Sequence, residues 1–294
     1  MRTFALILLL VAGSCVNAQP KMQEQFDSLG PTIKTLKSPT SGRQIFYVDE
    51  GDPEWRPVVF IGGGGTSGRV FALMEFLRTT REGMKLRFIG VERNGFGNTG
   101  FDSSLDYTDY ADDVDDVLAY LDVSAFSLFA ISGGGPYAAT IASRHPRRLD
   151  SVHLASALTY FDSSALECML PADGLTFFTH NPMNWFGFPA DSPVQGIPGF
   201  QDAAFDDAAR TFNMSGQVGA PDALYHELQL YCVNQQLPDL SVVTAPVYLY
   251  YGDADTTTPP DVHLGRWVRA FSNATVKARR YPGEGHDVQY RHFD

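Results

Sequence analysis

Residues 130–136, Ala130-Ile131-Ser132-Gly133-Gly134-Gly135-Pro136, decide how this chain is to be read. An apolar run over residues 126–131 ends on them, and a stretch of small residues over 135–144 begins on them at once. A strand that turns into a helix with no intervening loop strains the backbone at the corner and pushes the corner side chain out above the sheet end. Strand and helix crowd there, so the residues two before and two after the corner must be small, as Ala130 and Gly134 are. The start of the helix offers unpaired N–H groups and a positive dipole end to any anion formed beside Ser132. A serine among glycines is otherwise an ordinary turn residue. The strand–turn–helix setting marks Ser132 as a nucleophile.

Outward from this corner, strand and helix patterns alternate. Strands are predicted over 44–48, 58–61, 86–91, 126–131, 152–155, 247–251 and 275–281, and the strand at 58–61 runs into Gly62-Gly63-Gly64-Gly65. Helical spacing appears over 69–81 (Val70, Phe71, Leu73, Met74, Leu77), over 107–121, over 135–144 and over about 261–270. In the helix at 107–121, Val114, Val117, Leu118 and Leu121 are expected inward, with Asp112, Asp113, Asp115 and Asp116 on a solvated outer face. Such alternation implies an α/β fold with a mostly parallel sheet flanked by helices, and its strands read as continuous apolar runs because both faces are covered. Residues 160–236 break the rhythm and are rich in aromatics, including Phe177, Phe178, Trp185, Phe186, Phe188, Phe200 and Phe205. They read as an insertion over one end of the sheet, and these rings serve either core packing or substrate contact.

The chain has 294 residues, 44% of them hydrophobic, and a net charge of −12 from 34 acidic and 22 basic residues. A chain of this size buries roughly 75% of its unfolded surface, so a core forms without a metal or a disulfide mesh. The apolar content excludes a disordered chain. The acidic balance argues against nucleic acid, whose phosphates call for Lys and Arg. Arg2, the apolar run 4–12 and Val16-Asn17-Ala18 before Gln19 fit a cleavable secretory signal over residues 1–18, too short for a membrane anchor. Cleavage takes one positive charge and no acid from the net −12, leaving −13, and a domain of residues 19–294. Export implies a secreted or periplasmic protein, and lipidation at Cys15 ranks lower because Ala12 stands where a larger aliphatic is usual. Cys168 and Cys232 are then left to form one bridge or to stay as two buried thiols. Neither has a ligand at metal-binding spacing, so no metal is expected. Asn213-Met214-Ser215 and Asn273-Ala274-Thr275 are glycosylation acceptors in a eukaryotic host.

A serine needs a base held by an acid. Gly252-Asp253-Ala254-Asp255 follows the strand at 247–251, and Pro282-Gly283-Glu284-Gly285-His286 follows the last strand. Both turns fall at the strand ends that Ser132 occupies, where open parallel sheets bind ligands. By residue type alone Asp253 and Asp162 compete with Asp255, and His153, His180, His226, His263 and His292 compete with His286. The order Ser132, Asp255, His286 and these turns resemble the α/β-hydrolase superfamily, in particular cap-bearing serine hydrolases of small organic substrates. The likeness runs over about residues 44–286. Glu92-Arg93-Asn94-Gly95-Phe96-Gly97-Asn98-Thr99 is similar to the loop after that family's fourth strand, with Glu92 for the usual Asp. Gly62–Gly65 stands at its oxyanion loop, with Gly62 for the usual His. The resemblance implies oxyanion donors at Gly64 (or neighbouring Gly63) and Gly133, and Asp255 as the acid, three residues after the glycine. It implies no cofactor and a small ester or amide as substrate, and the apolar insertion favours esters of uncharged, largely apolar groups. Ser132 argues against the epoxide and haloalkane hydrolases of this fold, which use an aspartate at the corner. Only eight residues follow His286, so a short final helix and a less firmly held imidazole are expected. The competing readings are an aminopeptidase or amidase, and a non-catalytic ligand-binding relative.

Overall fold

The computed structural model describes residues 32–68, 70–71, 78–171, 222–286 and 288–292. The expected signal segment, Cys15, Asn213, His180 and the insertion's seven aromatics lie outside those residues, as do Leu73, Met74 and Leu77.

Eight strands form one sheet: β1 (Lys34–Lys37), β2 (Gln44–Glu50), β3 (Arg56–Ile61), β4 (Leu86–Val91), β5 (Phe126–Ile131), β6 (Leu149–Ala155), β7 (Val247–Gly252) and β8 (Val276–Tyr281). Their order is β1-β2-β4-β3-β5-β6-β7-β8. The run from β4 to β8 is parallel, whereas β1 pairs antiparallel with β2, and β2 with β4. β1 carries no apolar alternation beyond Leu36. It is placed by its register with β2 (Lys34 opposite Tyr47) and by Lys34 reaching Asp49 at 3.0 Å.

The described helices are α1 (Arg78–Gly83), α2 (Tyr107–Tyr120), α3 (Gly135–Arg144), α4 (Leu166–Met169), α5 (Asp222–Val233), α6 (Pro260–Ala270) and α7 (Val288–Arg291). α2 starts at a capping box in which Asp106 accepts from Thr108 N–H and Asp109 reaches back to the Asp106 N–H. The central strands are sealed on both faces: Val59, Ile61, Ile89, Leu128, Ala130, Val152, Leu154 and Leu249 are all at most 1% exposed. Each such branched side chain contributes about 2 kcal/mol through burial. α3 crosses close above the sheet, and a Cβ on Gly134 would sit 2.6 Å from the Ile61 carbonyl oxygen. The corner therefore tolerates nothing larger than glycine there.

The acidic face of α2 corrects one expectation. Asp116 is 8% exposed and accepts from the Thr40 hydroxyl at 2.7 Å and from the Ser38 hydroxyl. Asp113 meets Arg43 at 2.9 Å, Asp112 meets Arg144 at 2.6 Å, and Asp115 meets His145 at 2.6 Å. Burial pushes the Asp113 carboxyl up to about 6 against the pull of Arg43. The face docks against the turn before β2 and the end of α3, and those partners lie too far along the chain for a local pattern to reveal. Val114, Val117 and Leu118 face the core as expected, while Leu121 is only partly buried.

Candidate active site

β3 and β5 are neighbours, while β4 lies on the far side of β3 and β6 on the far side of β5. The chain thus leaves this strand pair in opposite directions, opening a crevice at its carboxyl end. Ser132 sits at that point with φ +50°, in the left-handed region. For a serine this conformation costs on the order of 1–3 kcal/mol, supplied here by the packing of α3 on the sheet.

The three predicted side chains come together. His286 Nε2 is 2.9 Å from Ser132 Oγ, and His286 Nδ1 is 2.9 Å from Asp255 Oδ2. Asp255 is buried. Its Oδ1 accepts the Thr257 and Thr258 amides, each at 2.9 Å, and its Oδ2 accepts the Thr258 hydroxyl at 2.7 Å. Burial alone would raise this carboxyl, yet the hydrogen bonds from His286 and Thr258 outweigh it and bring it down to about 2. Asp255 is therefore an anion at neutral pH. The loop carrying His286 is stitched to the one carrying Asp255: Asp253 N–H donates to the Tyr281 carbonyl at 3.0 Å, and Ala254 N–H to that of Glu284 at 2.8 Å. A Cβ on Gly252 would lie 2.2 Å from the Glu284 oxygen, so a glycine is needed for the two loops to meet. α7 has only four residues, and these loop contacts hold the imidazole in its place.

The competing residues among those described are engaged elsewhere. Asp162 forms a two-pronged pair with Arg266 at 2.8 and 3.0 Å, and Asp253 pairs with Arg280. His263 is buried against Thr159, and burial together with Arg266 lowers it to about 4, leaving it neutral. His153 stacks on Tyr248 and meets the Tyr250 hydroxyl at 3.2 Å, His226 bonds the Leu105 carbonyl at 2.8 Å, and His292 stacks on Tyr281. Cys168 and Cys232 are joined in a disulfide that ties α4 to α5 across the insertion. The Asn273 side-chain amide donates to the Ser241 carbonyl at 2.8 Å.

The Gly62–Gly65 loop lies beside the corner, and a Cβ on Gly63 would be 3.4 Å from Ser132 Cβ. The place left by the missing histidine at Gly62 is taken by Thr66 and Val70, whose Oγ1 and Cγ1 would each be 2.6 Å from a Cβ there. Arg93 braces the loop from beneath: its guanidinium donates to the carbonyls of Gly62 at 2.7 Å and Gly63 at 2.5 Å. Glu92 accepts the Asn98 amide at 2.7 Å within its own loop.

Sequence reasoning passed over Glu227 and Tyr231 on α5. Both are 2% exposed; Glu227 Oε2 accepts the Gly65 amide at 2.7 Å, and the Tyr231 hydroxyl donates to the Gly133 carbonyl at 2.9 Å. The available signal was a glutamate on the apolar face shared by Leu224, Leu228 and Tyr231. Glu227 also helps line a cavity of about 480 Å³ with Arg43, Asn98, Phe101, Asp109 and His226, which neither Ser132 nor His286 reaches. Among the described residues no group of three or more His, Cys, Asp or Glu could hold a metal, and no helix is long and apolar enough to cross a membrane.

A family model for the alpha/beta hydrolase fold matches residues 56–293. The chain belongs to the alpha/beta hydrolase family. Within it, the chain is 28% identical to a non-heme chloroperoxidase of Kitasatospora aureofaciens over 265 residues, 84% of this chain and 90% of that one. A non-heme chloroperoxidase of Burkholderia pyrrocinia is 25% identical, over 83% of this chain and 90% of its own. Among solved structures, a bromoperoxidase from Bacillus anthracis superposes with a TM-score of 0.65 at 22% identity, covering 89% of this chain and 95% of its own. An esterase from Exiguobacterium antarcticum does so with 0.59 at 19% identity, covering 87% and 93%. The eight-stranded, mostly parallel sheet with its flanking helices is the architecture of this alpha/beta hydrolase.

Proposed function

We propose that this alpha/beta hydrolase is a serine hydrolase that cleaves carboxylic esters of small, largely apolar groups through an acyl-enzyme. The hydrogen-bonded chain from Ser132 through His286 to Asp255 carries the reading. Ser132 Oγ attacks the acyl carbonyl while His286 Nε2 takes its proton and then delivers it to the departing alkoxide. Asp255 fixes the Nδ1–H tautomer and stabilises the imidazolium. The backbone N–H groups of Gly133 and Gly64, or Gly63 beside it, bind the oxyanion, a donor of this kind contributing about 3 kcal/mol in the transition state. Water, activated by His286, then releases the acid. No cofactor takes part in this scheme. The net charge of −13 after loss of residues 1–18 disfavours anionic substrates. The N-terminal pattern and the Cys168–Cys232 bond together support an exported protein.

The test is a fluorophosphonate probe followed by a panel of nitrophenyl esters and aminoacyl anilides. Wild type is expected to label and to prefer short esters, and Ser132→Ala to do neither. A folded wild type that does not label overturns the proposal in favour of a non-catalytic relative, and a preference for the anilides would make the protein an amidase or aminopeptidase. The likeness to the chloroperoxidases favours a second reading, in which hydrogen peroxide replaces water as the nucleophile. Its attack on the acyl-enzyme frees Ser132 and yields a peroxyacid able to oxidise halide. Peroxide-dependent bromination of a dye in acetate separates the two, since only the second reading gives it.

A further inference from the structure

The insertion reaches the reacting end of the sheet through α5, and the contacts that α5 makes there are unusual in being polar and buried. Glu227 and Tyr231 are four residues apart, so they project from one face of the helix one turn from each other. Glu227 takes hold of the Gly62–Gly65 loop through the Gly65 amide, and Tyr231 takes hold of the serine corner through the Gly133 carbonyl. Gly64 lies between them: a Cβ there would be 3.5 Å from Glu227 Oε2 and 3.5 Å from the Tyr231 hydroxyl.

The same carboxylate is pinned from behind. Glu227 Oε1 is 3.0 Å from Arg93 Nε and accepts the Tyr137 hydroxyl at 3.2 Å. Arg93 in turn grips the carbonyls of Gly62 and Gly63, so Gly62, Gly63 and Gly65 of one loop are all set by a single buried ion pair. Burial would discharge the guanidinium, but the Glu227 carboxylate outweighs it and raises Arg93 above its ordinary value. The C-terminal end of α5, which carries Tyr231, is anchored as well, by the Cys168–Cys232 bond and by the Phe161 amide donating to the Tyr231 carbonyl at 2.9 Å. A buried ion pair is a poor source of stability compared with apolar side chains of the same volume, but it imposes a fixed geometry on what it touches.

We propose that Glu227 and Tyr231 are positioning residues that set the separation of the oxyanion loop from Ser132, so that the insertion, through one turn of α5, determines whether the oxyanion hole has its working width. This rests on the serine-hydrolase reading above. Neither side chain touches the reacting atoms. Their effect passes through the backbone of Gly63–Gly65 on one side and Gly133 on the other.

The test uses Tyr231→Phe, which removes one hydrogen bond and keeps the ring, and Glu227→Gln, which keeps the shape and removes the charge. Both are run on nitrophenyl esters and on the matching thionoesters, whose larger sulfur fits poorly into a hole built for oxygen. The expected result is a fall in kcat of about 10-fold for Tyr231→Phe and about 100-fold for Glu227→Gln, with KM within about 3-fold of wild type. The ester-to-thionoester preference should shrink alongside kcat, because a slackened hole selects less sharply. A purely structural role would lower both substrates alike, so an unchanged preference overturns the proposal, as does an unchanged kcat in Tyr231→Phe. If Glu227→Gln does not fold, Tyr231→Phe carries the test. A wild type that turns over neither substrate and does not label with fluorophosphonate overturns the serine-hydrolase reading and this inference with it. A wild type that labels while the variants keep their preference overturns the inference alone.

Discussion

Replacing Asp255 by Asn tests the site at its least exposed point. The amide keeps the size and shape of the carboxylate, and its oxygen can still accept the Thr257 and Thr258 amides now held by Oδ1. Its NH2 then faces His286 Nδ1 at the 2.9 Å spacing now bridged by an N–H donated to Oδ2. Two donors cannot share that gap, so the imidazole shifts its proton to Nε2 and presents an N–H, rather than a lone pair, to Ser132 Oγ. The serine loses its base. Such a tautomer change costs about 10⁴-fold in kcat, equivalent to about 5.5 kcal/mol of barrier. The stability cost is smaller. A carboxyl held at about 2 instead of its usual 3.8 contributes about 2 kcal/mol at neutral pH. Activity and folding therefore separate. The assay is nitrophenyl ester turnover normalised to folded protein, with the melting temperature read on the same sample. If Asp255→Asn stays within 10-fold of wild type, or if Asp253→Asn or Asp162→Asn loses as much, the reasoning about this site is wrong.

Two buried groups make stability fall with acid in separate windows. His263 is lowered from 6.5 to about 4, so the neutral imidazole stabilises the fold above pH 6.5 and that contribution is lost as the pH falls toward 4; Asp255 adds a second loss as the pH falls from about 4 toward 2. Asp113, raised to about 6, acts in the opposite sense across the first window, so the His263 contribution is read as a difference. Between pH 6.5 and 4 the urea midpoint of wild type should fall relative to that of His263→Gln, and parallel curves would contradict it. Reducing the Cys168–Cys232 bond releases a loop spanning 64 residues, worth about 4 kcal/mol in chain entropy, and should lower the melting temperature reversibly. A melting temperature unmoved by reductant would contradict this. Asp116→Ala strips the partner from the Ser38 and Thr40 hydroxyls and should cost about 2 kcal/mol while leaving ester turnover unchanged, as read by denaturant melts and kinetics together.

The sequence by itself determined the mostly parallel sheet and which side chains stand at its rim. Apolar runs such as Val58–Ile61 become central strands because burial on both faces leaves no other composition workable, and the small residues around Ser132 announce a corner because nothing larger fits. Asp255 and His286 could be read from the turns that carry them, since each follows a recognisable strand. Tertiary structure alone decided everything that depends on a partner distant in the chain. β1 exists because β2 offers it an edge, and the acids of α2 are occupied because residues 38–43 and 144–148 fold back onto them. Glu227 meets Gly65 across a separation of 162 residues, and Tyr231 meets Gly133 across 98. A periodic pattern records which side of a helix is buried, but not what lies opposite it. That is why the serine corner was legible in seven residues, while the side chains that hold its surroundings in shape appeared only once the chain had closed on itself.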